Sequence, residues 1–431
     1  MLMLCLAPTS TNISKHTKVT HSICVTMDPR DPVIVSAIRT PLCRARSNGQ
    51  LAHLPPSSLL AAVLRGVLLQ HPPQHTATTA PTAAKETDYI VHPSSIQDIC
   101  VGNVLAPPTA AVAFRMAALS SGIPYTAALS TVNRQCSSGL QAIANIAHAI
   151  RCGSIDIGIG CGVESMSNDK MGELYEKFPP NVDWDSQTKE AMDCLIPMGI
   201  TSENVAKAFD LDRKTLDQFA ADSHLKAATA QRTGKFRTEI VPVDNIDKDD
   251  GIRPTTTTET LAKLKPAFSK NGSTTAGNSS QLTDGAAAVL LMSRAEATKR
   301  RLPILGVWKS YAVQGVPPKI MGVGPVYAIP SALKMDNKTI EDVDLFEINE
   351  AFASQAYYSI KTLQIDPSKV NPNGGAIALG HPLGCTGARL VVSLLMEMRR
   401  EGHRVGVVSM CVGGGMGAAA VLESEIGMSA L

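Results

Sequence analysis

Apolar residues occur along the chain in short runs and at helical spacing, which predicts strands that alternate with helices. The runs Pro32–Ala37 and Ile96–Val104 predict buried strands. Between them, Ser57–Leu69 has the pattern of an amphipathic helix, and residues 70–85 are rich in His, Pro, Thr and Ala, which predicts a surface loop. Alternating strands and helices favour an α/β fold with mostly parallel sheets covered by helices.

A middle segment, residues 168–280, differs in texture from the chain on either side. It carries more charge, predicts helices over Ser202–Phe209 and Thr215–Gln231, and contains polar loops such as Asp244–Asp250. We expect it to be a loop domain inserted into a compact α/β core.

Two stretches about 250 residues apart resemble each other. Residues 136–161 begin C-S-S-G and continue as an amphipathic helix and the apolar strand Ile155–Cys161. Residues 384–412 begin G-C-T-G and continue as a similar helix and the apolar strand Val405–Val412. The glycines that bound each helix are 14 residues apart (139 to 153) and 15 residues apart (387 to 402). The repetition indicates a duplicated α/β domain, and the alternative is chance similarity of two glycine-bounded helices.

Composition and charge narrow the class of protein. A length of 431 residues predicts two to three domains, and 44% hydrophobic with 18% charged residues excludes wholesale disorder. The chain has 40 Lys and Arg against 38 Asp and Glu. The net charge of +2 is too small to create the positive electrostatic potential that would attract nucleic acid to the whole protein. The apolar runs fall short of the roughly 18 residues that a membrane-spanning helix needs.

The cysteines and histidines do not form a recognisable framework. Ten Cys are scattered without a C-x-x-C pair, which is typical of buried thiols in a reducing compartment rather than of disulfides. Ten His are equally dispersed, and no Cys/His cluster predicts a metal site.

Cys136 is the first candidate for chemistry. It lies in N-R-Q-C-S-S-G at the predicted start of a helix, where free N–H groups and the helix dipole favour a thiolate and a lowered pKa. The same N–H groups suit an oxyanion at a carbonyl joined to the sulfur. The alternative is a small residue without a function.

Three further candidates lie in the C-terminal part. His381 stands in the glycine-dense G-H-P-L-G, where an imidazole suits a base or a hydrogen-bond donor. Cys411 ends an apolar strand and enters C-V-G-G-G-M-G, and Asn349 follows the strand-like run Val343–Ile348 in N-E-A-F. Taken singly, each is equally compatible with a structural role.

Taken together and in order, these motifs resemble the thiolase family. N-R-Q-C-S-S-G, A-G-N-S-S-Q, N-E-A-F, G-H-P-L-G-C-T-G and C-V-G-G-G-M-G cover roughly residues 32–424, and the run S-Q-L-T-D-G-A-A is similar to degradative peroxisomal members. The resemblance implies the duplicated thiolase fold, with two similar α/β halves, mixed and mostly parallel sheets packed on central helices, and an inserted loop domain. The implied limits are an appendage over 1–27, an N-terminal domain over 28–300 containing the loop domain at about 168–280, and a C-terminal domain over 301–431.

The resemblance also implies a role for each catalytic candidate. Cys136 matches the nucleophile that carries the acyl group, and His381 matches the histidine that activates it. Cys411 matches the cysteine that moves a proton at the α-carbon of acetyl-CoA. Asn349 matches the asparagine that holds a water in one oxyanion hole, and the N–H groups of Cys136 and Gly413 match the second hole.

On the substrate side, Ser280 matches a contact to the pantetheine arm, Arg253 a basic residue beside the adenine nucleotide, and Met198 a further coenzyme A contact. This chain has Pro197-Met198-Gly199 at the position where sequences that resemble biosynthetic acetoacetyl-CoA thiolases have H-M-G. Because the histidine would narrow the acyl pocket, the proline favours a broader one.

The implied activity is CoA-dependent cleavage of 3-ketoacyl-CoA in fatty-acid β-oxidation, with coenzyme A as substrate and no cofactor. Alternatives are a biosynthetic acetoacetyl-CoA thiolase and an inactive scaffold protein. Cys411 argues against a carrier-protein-dependent condensing enzyme, which uses one Cys with two His.

Assembly and compartment are less directly implied. We expect a homodimer or homotetramer without nucleic acid or membrane span, located in the peroxisome, with the mitochondrion as the alternative. Residues 1–27 read either as a weak targeting segment or as a mis-started N-terminus with Met27 as the working start.

Overall fold

The computed structural model of the chain describes residues 27–70, 85–169, 183 and 186–425. The predictions for the appendage, apart from Met27, and for most of the loop at 70–85 therefore lie outside the described residues. The strands are β1 (Pro32–Arg39), β2 (Cys43–Arg44), β3 (Asp98–Gly102), β4 (Ala128–Val132), β5 (Ile157–Ser165), β6 (Thr283–Ser293), β7 (Gly306–Gly315), β8 (Leu345–Ile348), β9 (Val405–Val412) and β10 (Met416–Glu423). The α-helices are α1 (Pro56–Gly66), α2 (Ala110–Ser120), α3 (Ser138–Arg151), α4 (Lys189–Asp193), α5 (Met198–Ala208), α6 (Arg213–Arg232), α7 (Thr258–Ala262), α8 (Arg294–Arg300), α9 (Gly324–Met335), α10 (Ala353–Thr362), α11 (Ala376–Leu379) and α12 (Leu383–Glu401).

The strands form one mixed sheet in the order β4-β3-β5-β6-β1-β7-β10-β9-β8, with β2 paired to β6. Its two halves meet where β1 pairs with β7 over only Val33↔Val307 and Ile34↔Gly306. Outward from this seam the halves repeat one pattern. The order from the seam is β1, β6, β5 and β3 in the N-terminal half and β7, β10, β9 and β8 in the C-terminal half, so that the first strand lies at the seam, the last strand is its neighbour and the strand after the central helix comes next. Strand β4 is an additional edge strand of the N-terminal half. The duplication predicted from the sequence is therefore confirmed.

Strand direction also follows the duplication. In the N-terminal half β1 to β5 run one way and β6 opposes them, and in the C-terminal half β7, β8 and β9 run together and β10 opposes them. The expected mixed sheet with mostly parallel strands is confirmed in this sense. Neighbouring strands are nevertheless paired more often antiparallel, in six ladders against three, among the described strands. The reversed strand of each half accounts for five of these six ladders, and the sixth is the pairing of β1 with β7 at the seam.

The two central helices, α3 and α12, cross at their N-terminal ends. A Cβ added at Gly139 would lie 2.6 Å from the carbonyl oxygen of Gly384, and one at Gly387 would lie 2.3 Å from the nitrogen of Leu140. Glycine is required at both positions because the backbones approach so closely. The crossing brings together the residues before each helix, Cys136 and His381, each two positions ahead of its first turn.

Local sequence signals account for several element ends. Strand β9 occupies the predicted residues, and the glycines at 153 and 402 end the central helices with φ of 81° and 71°. Helix α6 begins earlier than predicted because the Asp212 side chain accepts a hydrogen bond from the Thr215 N–H at 2.9 Å and caps it. Strand β3 is shorter than its apolar run. Among the described residues, no helix has both the length and the hydropathy needed to cross a membrane.

Candidate active site

Four residues singled out in the sequence converge where the central helices begin and where β8 and β9 end. Cys136 precedes α3, His381 precedes α12, Asn349 follows β8 and Cys411 lies near the end of β9. All four are buried, with exposed fractions of 9% for Cys136, 5% for His381 and 0% for the other two. Since β8 and β9 are adjacent parallel strands, their carboxyl ends meet at one edge beside the helix crossing.

The Cys136 thiol has backbone donors beside it, but it is not acidified. Its sulfur receives the N–H groups of Gly413 and of Cys136 itself, which lower its pKa, yet burial outweighs them and raises the pKa to about 11. The nearby carboxyl of Glu164 acts in the same direction as burial. The sequence-based expectation of a lowered pKa is therefore wrong. The thiolate is destabilised more by the loss of hydration than it is stabilised by hydrogen bonds from the two N–H groups.

The turn before Cys136 is held in an uncommon conformation. Gln135 has φ of 46°, in the left-handed region that residues with a side chain seldom adopt. The glycine loop after β9 packs on this turn, since a Cβ at Gly413 would lie 3.5 Å from Cγ of Gln135. The turn thus places the sulfur of Cys136 against the N–H of Gly413.

Hydrogen bonds determine the tautomer of His381. Its Nδ1 lies 2.6 Å from Oγ1 of Thr386, and this hydroxyl donates to the carbonyl of Pro382 at 2.9 Å. Because the single hydroxyl proton is used there, Nδ1 must carry the proton and Nε2 the lone pair. Asn349 Nδ2 lies 3.4 Å from Nε2, as a donor. Burial lowers the pKa of His381 to about 3, and the charge of Arg389 acts in the same direction, so the ring is a neutral base.

Cys411 faces Cys136 from the C-terminal half. It packs with Met321 and Ala351 in a small apolar cluster that Met198 and Phe352 border. Burial raises the pKa of Cys411, and negative charge on Cys136 raises it further. The two thiols are therefore close enough to interact electrostatically, and a thiolate at one disfavours a thiolate at the other.

The three residues expected on the substrate side differ in location. Ser280 is half-buried beside N-E-A-F, where its N–H donates to the carbonyl of Ala351 at 2.9 Å, and Met198 borders the Cys411 cluster. Arg253 is exposed, and its N–H donates to Nδ1 of His224 on α6 at 3.2 Å. The structure thus brings Ser280 and Met198 to the buried group but leaves Arg253 at the surface.

Two hydroxyl residues that the sequence reasoning missed hold the turns before the central helices. Thr386 holds the ring of His381, and Ser138 receives the N–H of Arg134 at 2.9 Å and donates to the carbonyl of Gln135 at 2.6 Å. They are the third residues of C-S-S-G and G-C-T-G. The repeated hydroxyl in the two stretches was therefore the signal that could have identified them.

Glu164 was also missed. Its buried carboxyl accepts from the N–H groups of Gly384 at 2.8 Å and of Val104 and Leu105 at 3.1 Å, and from the Asn103 amide at 3.0 Å. Burial raises its pKa to about 7 against these donors. It joins the start of α12 to the loop after β3. A single Glu at the end of an apolar strand gave no such signal. In the part of the chain that is described, no three His, Cys, Asp or Glu side chains are grouped as a metal site.

Comparison with known proteins places this arrangement in a family. Family models for the N-terminal and C-terminal domains of thiolase match residues 32–295 and 302–424. A human protein named peroxisomal 3-ketoacyl-CoA thiolase is 55% identical over 408 residues, 91% of this chain and 91% of that protein. The crystal structure of the dimeric peroxisomal thiolase of Saccharomyces cerevisiae matches at a TM-score of 0.82 and 44% identity, and the match covers 93% of this chain and 99% of that one.

A second structure from the same yeast is described as five-layered and constructed from two core domains of identical topology. It matches at a TM-score of 0.74 and 40% identity, over 93% of this chain and 100% of that one. The two repeated halves agree with that description, and the chain belongs to the thiolase family.

Proposed function

We propose that the chain is an acetyl-CoA C-acyltransferase that cleaves 3-ketoacyl-CoA with free CoA to acetyl-CoA and a shortened acyl-CoA in fatty-acid β-oxidation. The observation that carries the proposal is the pair of buried thiols, Cys136 and Cys411, beside a neutral His381 and the N–H of Gly413. The human relative named peroxisomal 3-ketoacyl-CoA thiolase supports the substrate class and the compartment.

The first half-reaction acylates Cys136. Nε2 of His381 takes the thiol proton as the sulfur attacks the 3-keto carbon, which fits a thiol whose pKa is raised and a base that is neutral. The N–H groups of Cys136 and Gly413 stabilise the oxyanion, and an oriented donor of this kind contributes about 3–4 kcal/mol. The bond between the α-carbon and the 3-keto carbon then breaks, leaving a thioester on Cys136 and the enolate of acetyl-CoA.

Cys411 and Asn349 act on that enolate. The imidazolium of His381 and a water held by Asn349 stabilise the enolate oxygen, and the Cys411 thiol protonates the carbon. The side-chain oxygen of Asn349 supports this role, because it is buried and has no hydrogen-bond partner among the described residues. A weakly acidic thiol suits the task, since it remains protonated until a strongly basic carbanion forms.

The second half-reaction restores both thiols. Free CoA gives its proton to the Cys411 thiolate and attacks the thioester, and Cys136 leaves and recovers its proton from His381. Ser280, Met198 and Arg253 are proposed to hold the coenzyme A moiety, which is a substrate, so no cofactor is needed. The domain limits at 28–300 and 301–431 remain part of the proposal, and the ranges of the two family models support them.

We infer a homodimer formed through α2 and β4. Val112, Met116 and Leu119 on α2 are exposed by 66%, 62% and 43%, and Tyr125 before β4 is exposed by 82%. Strand β4 is the edge of the sheet, and its residues 129 and 131 direct their N–H groups away from β3, since Ala128 donates toward β3. An exposed apolar face beside a free edge fits a second copy of the chain, and the dimeric yeast structure supports this state.

The test of the function is thiolysis by the purified protein across 3-ketoacyl-CoA lengths from four to sixteen carbons. Pro197 occupies the position before α5 and is exposed, and it lacks the bulk and polarity of a histidine there, so we expect medium and long substrates to be cleaved efficiently. Activity on acetoacetyl-CoA with none on the ten-carbon substrate would move the assignment to the biosynthetic alternative. Absence of activity at every length would contradict the proposed function.

A further inference from the structure

Glu350, the second residue of N-E-A-F, is a buried carboxyl that the reaction above does not use. It is 2% exposed and follows Asn349 directly in the chain. One oxygen accepts the Ser223 hydroxyl at 2.6 Å and the N–H of Ile377 at 3.3 Å, and the other accepts the amide of Asn371 at 2.8 Å. Three donors from three segments thus meet on one side chain.

These three segments are linked to the parts of the chain that carry Asn349 and His381. Asn371 also binds both backbone groups of Ile348, receiving its N–H at 2.9 Å and donating to its carbonyl at 2.8 Å. Ile377 lies in α11, which leads directly to His381. Ser223 lies on α6, and its hydroxyl oxygen accepts the N–H of Gly375 at 3.1 Å. Glu350 therefore connects the strand that carries Asn349 with the segment that carries His381.

The space around the carboxyl is closely fitted. A Cβ at Gly375 would lie 2.1 Å from Cδ of Glu350, so only glycine allows the backbone to approach the carboxyl. Gly374 has φ of 78°, and a Cβ added there would lie 2.6 Å from the carbonyl oxygen of Ser223. The glycines of N-P-N-G-G thus have a physical reason for their position, which is to let the His381 segment lie against Glu350 and α6.

We propose that Glu350 is a positioning residue that sets the separation of Asn349 from His381, and so the geometry that stabilises the enolate of acetyl-CoA. It acts through the two residues and does not touch substrate. The inference rests on the proposed function, because the enolate is an intermediate of that reaction. It predicts a step-specific defect. Formation of the acyl-enzyme depends on Cys136, on Gly413 and on Nε2 of His381, whose ring Thr386 holds by a hydrogen bond that does not involve Glu350. Proton exchange at acetyl-CoA depends in addition on the distance between Asn349 and His381.

The experiment compares Glu350→Gln with the control Glu397→Gln. A glutamine at 350 keeps the size but replaces one acceptor with an NH₂ group that opposes the donors from Ser223 or Asn371. Glu397 on α12 is also 2% exposed and accepts from Asn373 of the loop that contains Asn371 at 2.8 Å, but among the described residues it is hydrogen-bonded neither to Asn349 nor to α11. The control therefore removes a buried carboxylate of equal size that binds the same loop.

For Glu350→Gln we expect kcat to fall by about 10- to 100-fold, as for a small misplacement of reacting groups, with KM for CoA changed less than about twofold. Exchange of the acetyl-CoA α-protons with solvent should fall in parallel, while labelling of Cys136 by radioactive acetyl-CoA stays near the wild-type rate. Ser223→Ala, which removes one donor and is expected to fold, should show the same pattern at about 3- to 10-fold. Glu397→Gln should lose thermal stability without a selective loss of exchange.

Three results separate the possible failures. If Glu350→Gln and Ser223→Ala slow labelling and exchange equally, or match Glu397→Gln, the positioning role is overturned. If Glu350→Gln fails to fold, Ser223→Ala alone decides by the same criterion. If the wild-type protein shows neither labelling nor thiolysis, the proposed function fails independently of Glu350.

Discussion

At the scale of single residues, burial shifts the pKa values of Cys136, Cys411 and His381 toward their neutral forms. It raises the pKa of both thiols and lowers that of the imidazole. The site therefore holds two protonated thiols and a neutral imidazole. Because charge is costly in this buried environment, we expect a thiolate to form only as its sulfur bonds to substrate. A buried thiol that stays protonated also reacts slowly with oxidants.

The first prediction concerns the alkylation of Cys136 in the ligand-free protein. Because its pKa is about 11, the thiolate fraction should rise about tenfold with each pH unit between 7 and 10. The rate at which iodoacetamide modifies Cys136, measured by peptide mapping, should keep rising up to pH 10. The rate for free cysteine, measured in parallel, should level off above its own pKa of about 8.5. A rate that levels off below pH 8 would show instead that the helix N-terminus dominates.

The second prediction separates the two thiols. Cys411→Ala should still become acylated at Cys136 by acetyl-CoA, because that step needs only the nucleophile and His381. It should lose α-proton exchange and turnover by about 10²- to 10⁴-fold, the usual effect of removing a positioned acid or base. Measured thiolysis above about a tenth of the wild-type rate would falsify the acid/base role and leave Cys411 as a small buried residue.

At the scale of elements, residues at equivalent positions of the two halves have the same structural role. Gly139 and Gly387 permit the crossing of α3 and α12, and Ser138 and Thr386 orient the turns before those helices. The halves are alike in topology but carry different chemistry, a thiol before one helix and an imidazole before the other. The outer elements differ as well, since α2 and β4 leave an apolar face exposed at one edge of the sheet.

The third prediction tests that face. Met116→Lys should shift the protein from dimer to monomer in sedimentation velocity, because a charge would be buried in the proposed interface. Leu225→Lys is the matched control, since Leu225 is a large apolar residue on α6 with 61% exposure against 62% for Met116. A dimer that survives in both variants, or dissociates in both, would place the interface elsewhere.

At the scale of the whole molecule, buried histidines link stability to pH. Burial lowers the pKa of His381 to about 3 and of His224 to about 4, both below the 6.5 of an unfolded chain. Between these values and pH 6.5 the unfolded state binds more protons than the folded state. The contribution of each histidine is therefore complete above pH 6.5 and is lost as the pH falls toward the folded pKa.

The fourth prediction follows from this linkage. His381→Asn should reduce the slope of unfolding free energy against pH, between pH 4.5 and 6, by up to about 1.4 kcal/mol per pH unit. His224→Asn should act in the same direction. The measurement is urea unfolding at several pH values, and slopes equal to that of the wild type in both variants would contradict the assignment of neutral buried imidazoles.

The sequence alone was sufficient for the duplication and for strand β9, and it pointed to four candidate residues that the structure brings together. Helix periods, bounding glycines and short motifs are local patterns, and they indicate Cys136, His381, Asn349 and Cys411 as candidates without knowledge of the fold. The length of β3 and the start of α6 were predicted less well, because pairing partners and the Asp212 cap decide them.

Only the tertiary structure decided the electrostatics and the supports of the site. The pKa of Cys136 depends on how completely other segments exclude water from it, and the local helix signal pointed in the opposite direction. Glu164 and Glu350 hold segments that are distant in sequence, so no local pattern marks their roles. A motif records which groups are present, whereas burial and long-range hydrogen bonds depend on where the rest of the chain lies.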